Sequence, residues 1–447
     1  MLAKLICTDL GRLFVYDGLT NRIISICNDE IIYENDMKTV EKRIISDLYR
    51  QGILTDKMRG DAKWPMTFEE VRATLQDKIP RLVLQITRDC NLNCDYCIYS
   101  GNYTHMRSSA PESMSLETMF RSIDFYAAHS RGMESANVAF FGGEPLLRFP
   151  EIMKVTYYAK EVFKEQTLNI SISTNGVLLS REIFQWMEQN PNVRIALTLN
   201  GPFHDRYRKD FSGKGSLTDI MSRLREMKSD YPDIWDKQII FIANYTSYVE
   251  IPEILHFYCN ELKISSQPVF LTGIRKDLGN RKIKRILRTN TYKERMAKLA
   301  LRKEYYKHPD GLTSVLYNPF ISLLDDRYIC APGDYGMRVE SCMPFAVRLF
   351  VRTDGRFNVC ERTSDAFVLG DLEHGFNEVA IERVMEEVTR LVNLNCKNCW
   401  AQRICLICFQ HMVDENGKIR SKIPKDICRN MKMKLYELLQ IYCEIYG

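Results

Sequence analysis

The chain has 447 residues, 45% of them apolar, and a formal net charge of +5 at neutral pH. This length predicts two or three domains, and so mild a charge argues against a nucleic-acid partner. No apolar run approaches the roughly 18 residues of a membrane span, so no membrane partner is expected. The N-terminus shows no secretory signal, so the 15 cysteines indicate metal binding in a reducing cytoplasm rather than disulfide bonds.

Residues 1–78 are predicted to form a small separate module. Short β-type runs at 12–16 and 22–26 precede an amphipathic helical stretch over 37–52. This order favours a winged-helix module. A simple N-terminal cap on the next domain is the alternative.

Residues 79–272 alternate strands with amphipathic helices, two of which are expected at 116–129 and 217–227. The predicted strands cover 82–87, 137–141, 169–174, 194–199, 239–243 and 268–272. Six β/α units predict an α/β fold with a parallel sheet, here a partial (β/α)6 TIM-like barrel. In such folds the functional site lies at the C-terminal ends of the strands.

Three cysteines directly follow the first predicted strand: Cys90, Cys94 and Cys97, spaced C-x3-C-x2-C. An iron–sulfur cubane normally takes four thiolates. Three would leave one iron open to bind a small molecule, which predicts a cluster used for chemistry. Buried free thiols or a structural zinc are the alternatives, although no fourth Cys lies nearby in sequence to complete a zinc site.

The next strand ends carry glycine and polar residues. Gly142 and Gly143 allow close backbone approach to a ligand, and Glu144 offers a carboxylate to an amine. Further candidates, whose hydroxyl, amide and guanidinium groups suit a ribose and a carboxylate, are Ser173, Asn175, Thr198, Asn200 and Arg208. Ordinary turns and a surface arginine are the alternatives.

Residues 273–325 are predicted to form a basic helical connector. Residues 275–307 contain thirteen Lys or Arg and only three acidic residues, Asp277, Glu294 and Glu304. Such a density indicates either a solvated helix face or a rim that attracts an acidic substrate.

Residues 326–447 look loop-rich and hold nine of the cysteines. The pattern there is Cys342, Gly355 and Cys360, then Cys396-x2-Cys399-x5-Cys405-x2-Cys408, and finally Cys428. A zinc ribbon is the alternative for the C-x2-C pairs, since thiolates accept either metal. Cysteines outside any pattern are predicted to be core thiols: Cys7, Cys27, Cys259 and Cys443.

Residues 81–272 resemble the radical S-adenosylmethionine (SAM) superfamily, and residues 326–430 resemble the SPASM extension of its peptide-modifying members. The resemblance implies that Cys90, Cys94 and Cys97 hold a [4Fe–4S] cluster whose open iron is chelated by SAM. It implies SAM contacts from Gly142, Gly143 and Glu144 to the amino group, from Ser173 and Asn175 near the ribose and carboxylate, and from Tyr96 to the adenine.

The SPASM resemblance implies two auxiliary [4Fe–4S] clusters, and therefore three clusters in all. The first would be held by Cys342, Cys360 and Cys408, with Cys330 as a candidate fourth ligand. The second would be held by Cys396, Cys399, Cys405 and Cys428.

The whole pattern resembles maturases that form thioether crosslinks in ribosomally made peptides. A SAM-derived radical would take a hydrogen atom from a carbon, a substrate thiolate would attack that carbon, and an auxiliary cluster would accept an electron. The implied partners are a Cys-containing, possibly acidic precursor peptide whose leader binds residues 1–78, and an electron donor such as flavodoxin or ferredoxin. Alternatives are carbon–carbon crosslinking, formylglycine formation in a sulfatase, and a non-catalytic electron carrier or zinc-binding module.

Overall fold

A computed structural model describes residues 2–26, 37–55, 67–103, 108–264, 266–274, 291–311, 313–329, 345, 347–363, 367–414 and 416–447. The predictions for Cys27, Cys330 and Cys342, and for the first half of the basic stretch, fall outside the described residues. No helix among the described residues is long and apolar enough to cross a membrane.

The N-terminal module contains a three-stranded antiparallel sheet in the order β1-β2-β3, followed by helix α1. Its elements are β1 (Ala3–Cys7), β2 (Leu13–Asp17), β3 (Arg22–Ile26) and α1 (Met37–Arg50). Helix α1 packs Val40, Ile44 and Leu48 against one face of this sheet. The predicted runs at 12–16 and 22–26 are confirmed as strands, and the winged-helix assignment stays a prediction.

Six consecutive parallel strands form the centre of the molecule, in the order β4 to β9. They are β4 (Leu82–Thr87), β5 (Ser135–Gly142), β6 (Thr167–Thr174), β7 (Val193–Thr198), β8 (Ile239–Tyr245) and β9 (Val269–Gly273). All six predicted strands are confirmed. Strand β4 is buried along its whole length, whereas β5 alternates buried and half-buried residues.

Helices return the chain between these strands and cover the sheet. They are α2 (Phe68–Asp77), α3 (Leu116–Ala128), α4 (Phe149–Val162), α5 (Arg181–Glu188), α6 (His204–Tyr207), α7 (Leu217–Asp230), α8 (Pro232–Lys237) and α9 (Ile251–His256). Side chains of Thr67, Ser115 and Ser180 cap α2, α3 and α5 by accepting backbone N–H groups, which fixes where these helices begin. The two predicted helices, α3 and α7, are confirmed.

The C-terminal third extends the same sheet. It comprises helices α10 (Thr291–Lys307), α11 (Ser314–Asp325), α12 (Glu378–Cys396), α13 (Phe409–Met412) and α14 (Lys425–Tyr446), with strands β10 (Leu349–Val351), β11 (Arg356–Asn358), β12 (Val368–Asp371) and β13 (Gly375–Phe376). Strand β10 pairs in parallel with β4, which gives the order β13-β12-β11-β10-β4-β5-β6-β7-β8-β9. The expectation of a loop-rich tail is wrong for α12 and α14, which span 19 and 22 residues with amphipathic patterns.

The N-terminal sheet also docks on the C-terminal third through its second face. Ile6 and Phe14 share an apolar cluster with Leu435 and Leu439 of α14. The turn after β2 accepts two hydrogen bonds, from Gln402 Nε2 to the Gly18 carbonyl at 3.3 Å and from Arg403 Nε to the Leu19 carbonyl at 2.7 Å. A Cβ on Gly18 would lie 2.1 Å from the Trp400 carbonyl oxygen, so this approach requires glycine.

Candidate active site

The loop after β4 carries three thiols held in a defined conformation. The Leu92 N–H donates to Cys90 Sγ at 3.5 Å, and the Tyr99 N–H donates to Cys97 Sγ at 3.4 Å. The Asn93 and Asp95 N–H groups donate to the carbonyls of Lys209 and Tyr207. The loop is therefore anchored to the segment that follows α6.

The thiols of this loop are costly to ionise without a metal. Burial, with a smaller contribution from neighbouring thiols, raises the pKa of Cys90 to about 12 and that of Cys97 to about 11. Burial also raises the pKa of Cys443 to about 12, but no other thiol contributes there. The thiols of the loop therefore differ from the core thiol Cys443 in being close to one another and not in being buried. The positive charge of iron would offset the free energy needed to ionise thiols that are buried together.

The described residues contain no group of three His, Cys, Asp or Glu side chains arranged to hold one metal ion. A cubane bonds each thiolate through a different iron, so its ligands stand further apart than those of a single ion. The residues of the β4 loop fit such a cluster in number, chemistry and N–H···S hydrogen bonding.

The Gly-Gly-Glu turn after β5 is pressed against the backbone of this loop. A Cβ on Gly142 would lie 2.2 Å from the Thr87 carbonyl oxygen, and one on Gly143 would lie 1.9 Å from the Asp89 carbonyl oxygen. The Gly143 N–H donates to the Thr87 carbonyl at 2.9 Å, and the Glu144 N–H donates to the Asp89 carbonyl at 2.8 Å. The sequence predicted close approach to a ligand, and the structure shows that both glycines are needed for the approach of backbone to backbone.

Glu144 is fully buried and joins the ends of β5 and β6. Its carboxylate accepts hydrogen bonds from Thr174 Oγ1 at 2.7 Å, the Asn175 N–H at 2.7 Å and the Leu146 N–H at 3.0 Å. Burial raises the pKa of Glu144, and these hydrogen bonds oppose the shift. Sequence reasoning missed Thr174, although its place at a strand end beside Asn175 was a signal.

Asn175 connects this network to the cysteine loop. Its Nδ2 donates to Asn91 Oδ1 at 2.7 Å and lies 3.9 Å from Cys90 Sγ. Ser173 and Thr198 are half-buried at the ends of β6 and β7, on the same edge of the sheet. The ends of four adjacent strands are thereby brought to one place.

Tyr96 is the centre of a second buried network. Its hydroxyl accepts from Arg208 Nη1 at 2.8 Å, Asn200 Nδ2 at 3.2 Å and Asn244 Nδ2 at 3.3 Å. Arg208 is only 7% exposed, which excludes the surface-arginine reading, and its Nε has no hydrogen-bond partner among the residues that the structure describes. Burial alone would lower the pKa of Arg208, but Tyr96 and Cys94 together outweigh it and the net pKa is raised, so the guanidinium stays charged. Asn244 was missed, although it directly follows the predicted fifth strand.

We expect Tyr96→Phe to lower the free energy of unfolding by about 1–3 kcal/mol, because three donors in a closed network lose their acceptor. Urea denaturation followed by circular dichroism measures this change. Tyr157→Phe is the matched control, since Tyr157 is 49% exposed on α4. Equal effects of the two substitutions would contradict the network.

A cavity of about 240 Å³ lies between the strand ends and the C-terminal third. Tyr96 and Cys97 line one side, and Glu361 and Arg362 line another. The Tyr99 hydroxyl donates to the Glu361 carbonyl at 2.7 Å, which ties the two sides together. The cavity therefore lies next to both the β4 loop and Cys360.

The C-terminal cysteines form two groups within the described part of the chain. Cys360 lies close enough to Cys408 for the two thiols to affect each other electrostatically, and the Arg362 N–H donates to Cys360 Sγ at 3.4 Å. Cys396, Cys405 and Cys428 form the second group with Cys399. Burial raises the pKa of Cys360, Cys396 and Cys405 to about 12. The described members of each predicted ligand set lie in the same group, and the ligand sets and their assignment to clusters stay predictions.

Residues 84–257 match the family model described as the radical SAM superfamily. Over 142 residues the chain is 32% identical to a serine-type anaerobic sulfatase-maturating enzyme of Bacteroides thetaiotaomicron, which covers 31% of this chain and 34% of that protein. It is 23% identical over 340 residues to the sporulation killing factor maturation protein SkfB of Bacillus subtilis, covering 74% and 70%. The chain spans half or less of the length of three of the curated relatives it matches, namely 34%, 50% and 47%.

Two solved structures share the fold. Native anSMEcpe with bound AdoMet and Cp18Cys peptide has a TM-score of 0.60 at 17% identity and covers 82% of this chain and 98% of its own. Streptococcus suis SuiB bound to precursor peptide SuiA has a TM-score of 0.53 at 14% identity and covers 96% and 98%. At such identities the likeness concerns the fold alone.

Proposed function

Because the chain carries a radical SAM domain over residues 84–257, we propose that it modifies a ribosomally synthesised, Cys-containing peptide by forming thioether crosslinks. The observation that carries this proposal is the cavity that lies between Cys97 and the residues following Cys360. A substrate in that cavity would be within reach of both the SAM site and an electron acceptor.

The β4 loop and its neighbours supply the SAM site in this proposal. Cys90, Cys94 and Cys97 would hold the cluster, and the Nε of Arg208 is available for a carboxylate. Bound together, the cluster and SAM would supply the radical chemistry that removes a hydrogen atom from a substrate carbon. Tyr96, held by three hydrogen bonds, presents a fixed aromatic surface for the adenine.

The C-terminal third would take up the electron that thioether formation releases. Joining a thiol to a C–H carbon removes two hydrogens: the radical takes one as an atom, and the other leaves as a thiol proton and an electron. Cys360 and Cys408, beside the cavity, would hold the accepting cluster in company with Cys342 and the candidate Cys330. Soft thiolates are the natural ligands of such a cluster.

Peptide substrates are supported by the relatives. SkfB is a sporulation killing factor maturation protein, SuiB was solved with the precursor peptide SuiA, and anSMEcpe was solved with the Cp18Cys peptide. In this chain, β3 pairs only with β2 among the described residues, so its outer edge is open to an added leader strand.

Formylglycine formation is the second candidate, because the 32% identical relative is a sulfatase-maturating enzyme. The N-terminal module, which adds a docked sheet before the radical SAM domain, argues for a leader-bearing peptide instead. Carbon–carbon crosslinking uses the same hydrogen abstraction and remains the third candidate.

One experiment separates the three. The protein, reconstituted with iron and sulfide, is incubated with SAM, dithionite and a short Cys-containing peptide chosen from the genes that neighbour its own. We expect each product to lose two hydrogen atoms and one iodoacetamide-reactive thiol, measured by mass spectrometry. Loss of two hydrogens with every thiol still reactive would leave carbon–carbon crosslinking and oxidation of a serine to formylglycine, and a hydrazide label separates them because only formylglycine carries an aldehyde. Loss of sulfur would establish formylglycine formed from a cysteine.

A further inference from the structure

A second, larger pocket lies away from the strand ends. Its volume is about 790 Å³, within the range of about 300–1,000 Å³ that is usual for ligand pockets. Helix α14 forms one wall, and the other walls come from β1, α10 and the loop after α12. Trp400, Ile423, Met433 and Tyr436 give it an apolar lining.

The charged groups around this pocket are nearly all positive. Six cations line it (Lys4, Arg302, Lys422, Lys425, Arg429 and Lys432) against the single acid Glu437. Three of these seven groups are paired: Lys4 with Glu41 at 2.8 Å, Arg302 with Asp9 at 2.8 Å, and Glu437 with Lys298 at 3.1 Å. Lys422, Lys425, Arg429 and Lys432 have no ion-pair partner within the described part of the chain.

Two of the unpaired cations, Lys422 and Lys425, stand at the N-terminal end of α14, where positive charge is unfavourable. Lys425, Arg429 and Lys432 share one face of α14, and Lys425 begins the helix. The N-terminal end of a helix already carries a partial positive charge, so lysines there oppose the helix dipole and repel one another. Lys432 lies beside Cys396, Cys405 and Cys428. Its charge opposes the rise that burial causes in the pKa of these thiols, and so it stabilises their thiolate forms. Lys422 and Lys425 are exposed at the rim and have no such role.

We propose that this pocket binds an acidic, amphipathic segment of the precursor peptide, with carboxylates on the Lys422 and Lys425 rim and apolar side chains against Trp400 and Met433. The inference rests on the proposed function and adds the chemistry of the bound segment. A concave apolar pocket that includes Lys4 of the N-terminal sheet suits a peptide that continues from the leader module. An acidic electron carrier, in contrast, docks through a small and open surface.

The probe is a fluorescein-labelled peptide of alternating Glu and Leu, and binding is followed by fluorescence anisotropy with the full-length reconstituted protein. The variant is the double substitution Lys422→Glu and Lys425→Glu. The matched control is Lys154→Glu with Lys164→Glu, which reverses two exposed lysines at and beyond α4. Iron content and melting temperature establish that both variants fold.

We expect the Lys422/Lys425 variant to bind the probe about tenfold more weakly at low salt, and the control to bind as the unmodified protein does. The difference should shrink at high salt, because exposed charges are screened beyond about 8–10 Å at physiological ionic strength. Met433→Ala should weaken binding by a factor that changes little with salt, since it removes apolar contact. Equal binding by the variant and the control would overturn the proposal.

A second measurement separates this inference from the proposed function. If the unmodified protein cleaves SAM but the probe does not bind, the inference is wrong and the proposed function stands. If it does not cleave SAM, the proposed function is wrong whatever the probe does. If the variant binds the probe normally but is reduced more slowly by flavodoxin, the surface serves an electron carrier and the inference is overturned.

Discussion

Replacing Cys90, Cys94 and Cys97 together with alanine should abolish 5′-deoxyadenosine formation and leave the C-terminal cysteine groups able to hold iron. The three thiols belong to one loop, in which backbone N–H groups donate to the sulfurs of Cys90 and Cys97, and we expect no thiol outside the loop to replace them. The C-terminal groups use separate thiols, contributed by β11, α12 and α14 and the loops around them. Loss of the loop's cluster should therefore remove about four iron atoms per chain and no more.

Iron is quantified colorimetrically, and 5′-deoxyadenosine is measured by chromatography with dithionite as reductant. Cys259→Ala is the control, because Cys259 is half-exposed and belongs to no group of thiols. Continued cleavage of SAM by the triple variant would show that the cluster lies elsewhere. Loss of all iron would show that the β4 loop is needed for the C-terminal groups to form.

Gly143→Ala should be the most damaging single-methyl change in the site. The new Cβ would lie 1.9 Å from the Asp89 carbonyl oxygen, and because that atom is backbone, the turn or the cysteine loop must move. Movement breaks the hydrogen bonds from the Gly143 and Glu144 N–H groups to Thr87 and Asp89. Overpacking and the lost bonds together should lower the free energy of unfolding by about 3 kcal/mol or more.

SAM affinity should fall with it, because the cysteine loop and the Gly-Gly-Glu turn, which are both proposed to bind SAM, would be displaced relative to each other. Urea denaturation and equilibrium dialysis with labelled SAM measure the two effects. Gly213→Ala is the control: its φ of +89° makes alanine unfavourable by about 1 kcal/mol, but no atom lies within 4 Å of the added Cβ. Comparable losses at the two glycines would show that the close packing at Gly143 has no special importance.

The sequence predicted the central domain well because its signals are local. Each of the six strands is a short apolar run that ends in polar or glycine residues. The C-x3-C-x2-C motif can be recognised from the sequence alone. The buried contacts of Arg208 and Asn244 with Tyr96 were not predictable in this way, because they join residues 112 and 148 positions apart. Such contacts depend on how the strand ends converge.

Long-range pairing also explains what was missed in the C-terminal third. Strand β10 has only three residues and is recognisable as a strand only once it lies beside β4. Cys396 and Cys428 belong to the amphipathic helices α12 and α14, but their spacing predicts metal ligands and carries no signal for a helix. The roles of Cys330 and Cys342 lie outside the described residues and remain predictions.

The contact between β1 and α14 has a consequence for how the chain folds during its synthesis. Cys7 and Tyr436, which are hydrogen-bonded, are separated by 429 residues. At ribosomal rates of about 5–20 residues per second, Ile6 and Phe14 stay uncovered for on the order of tens of seconds after they leave the ribosome. The nascent N-terminal sheet therefore exposes an apolar surface that chaperones should recognise. This surface can be buried only after the cysteine loop around Trp400 and helix α14 have been synthesised and have folded.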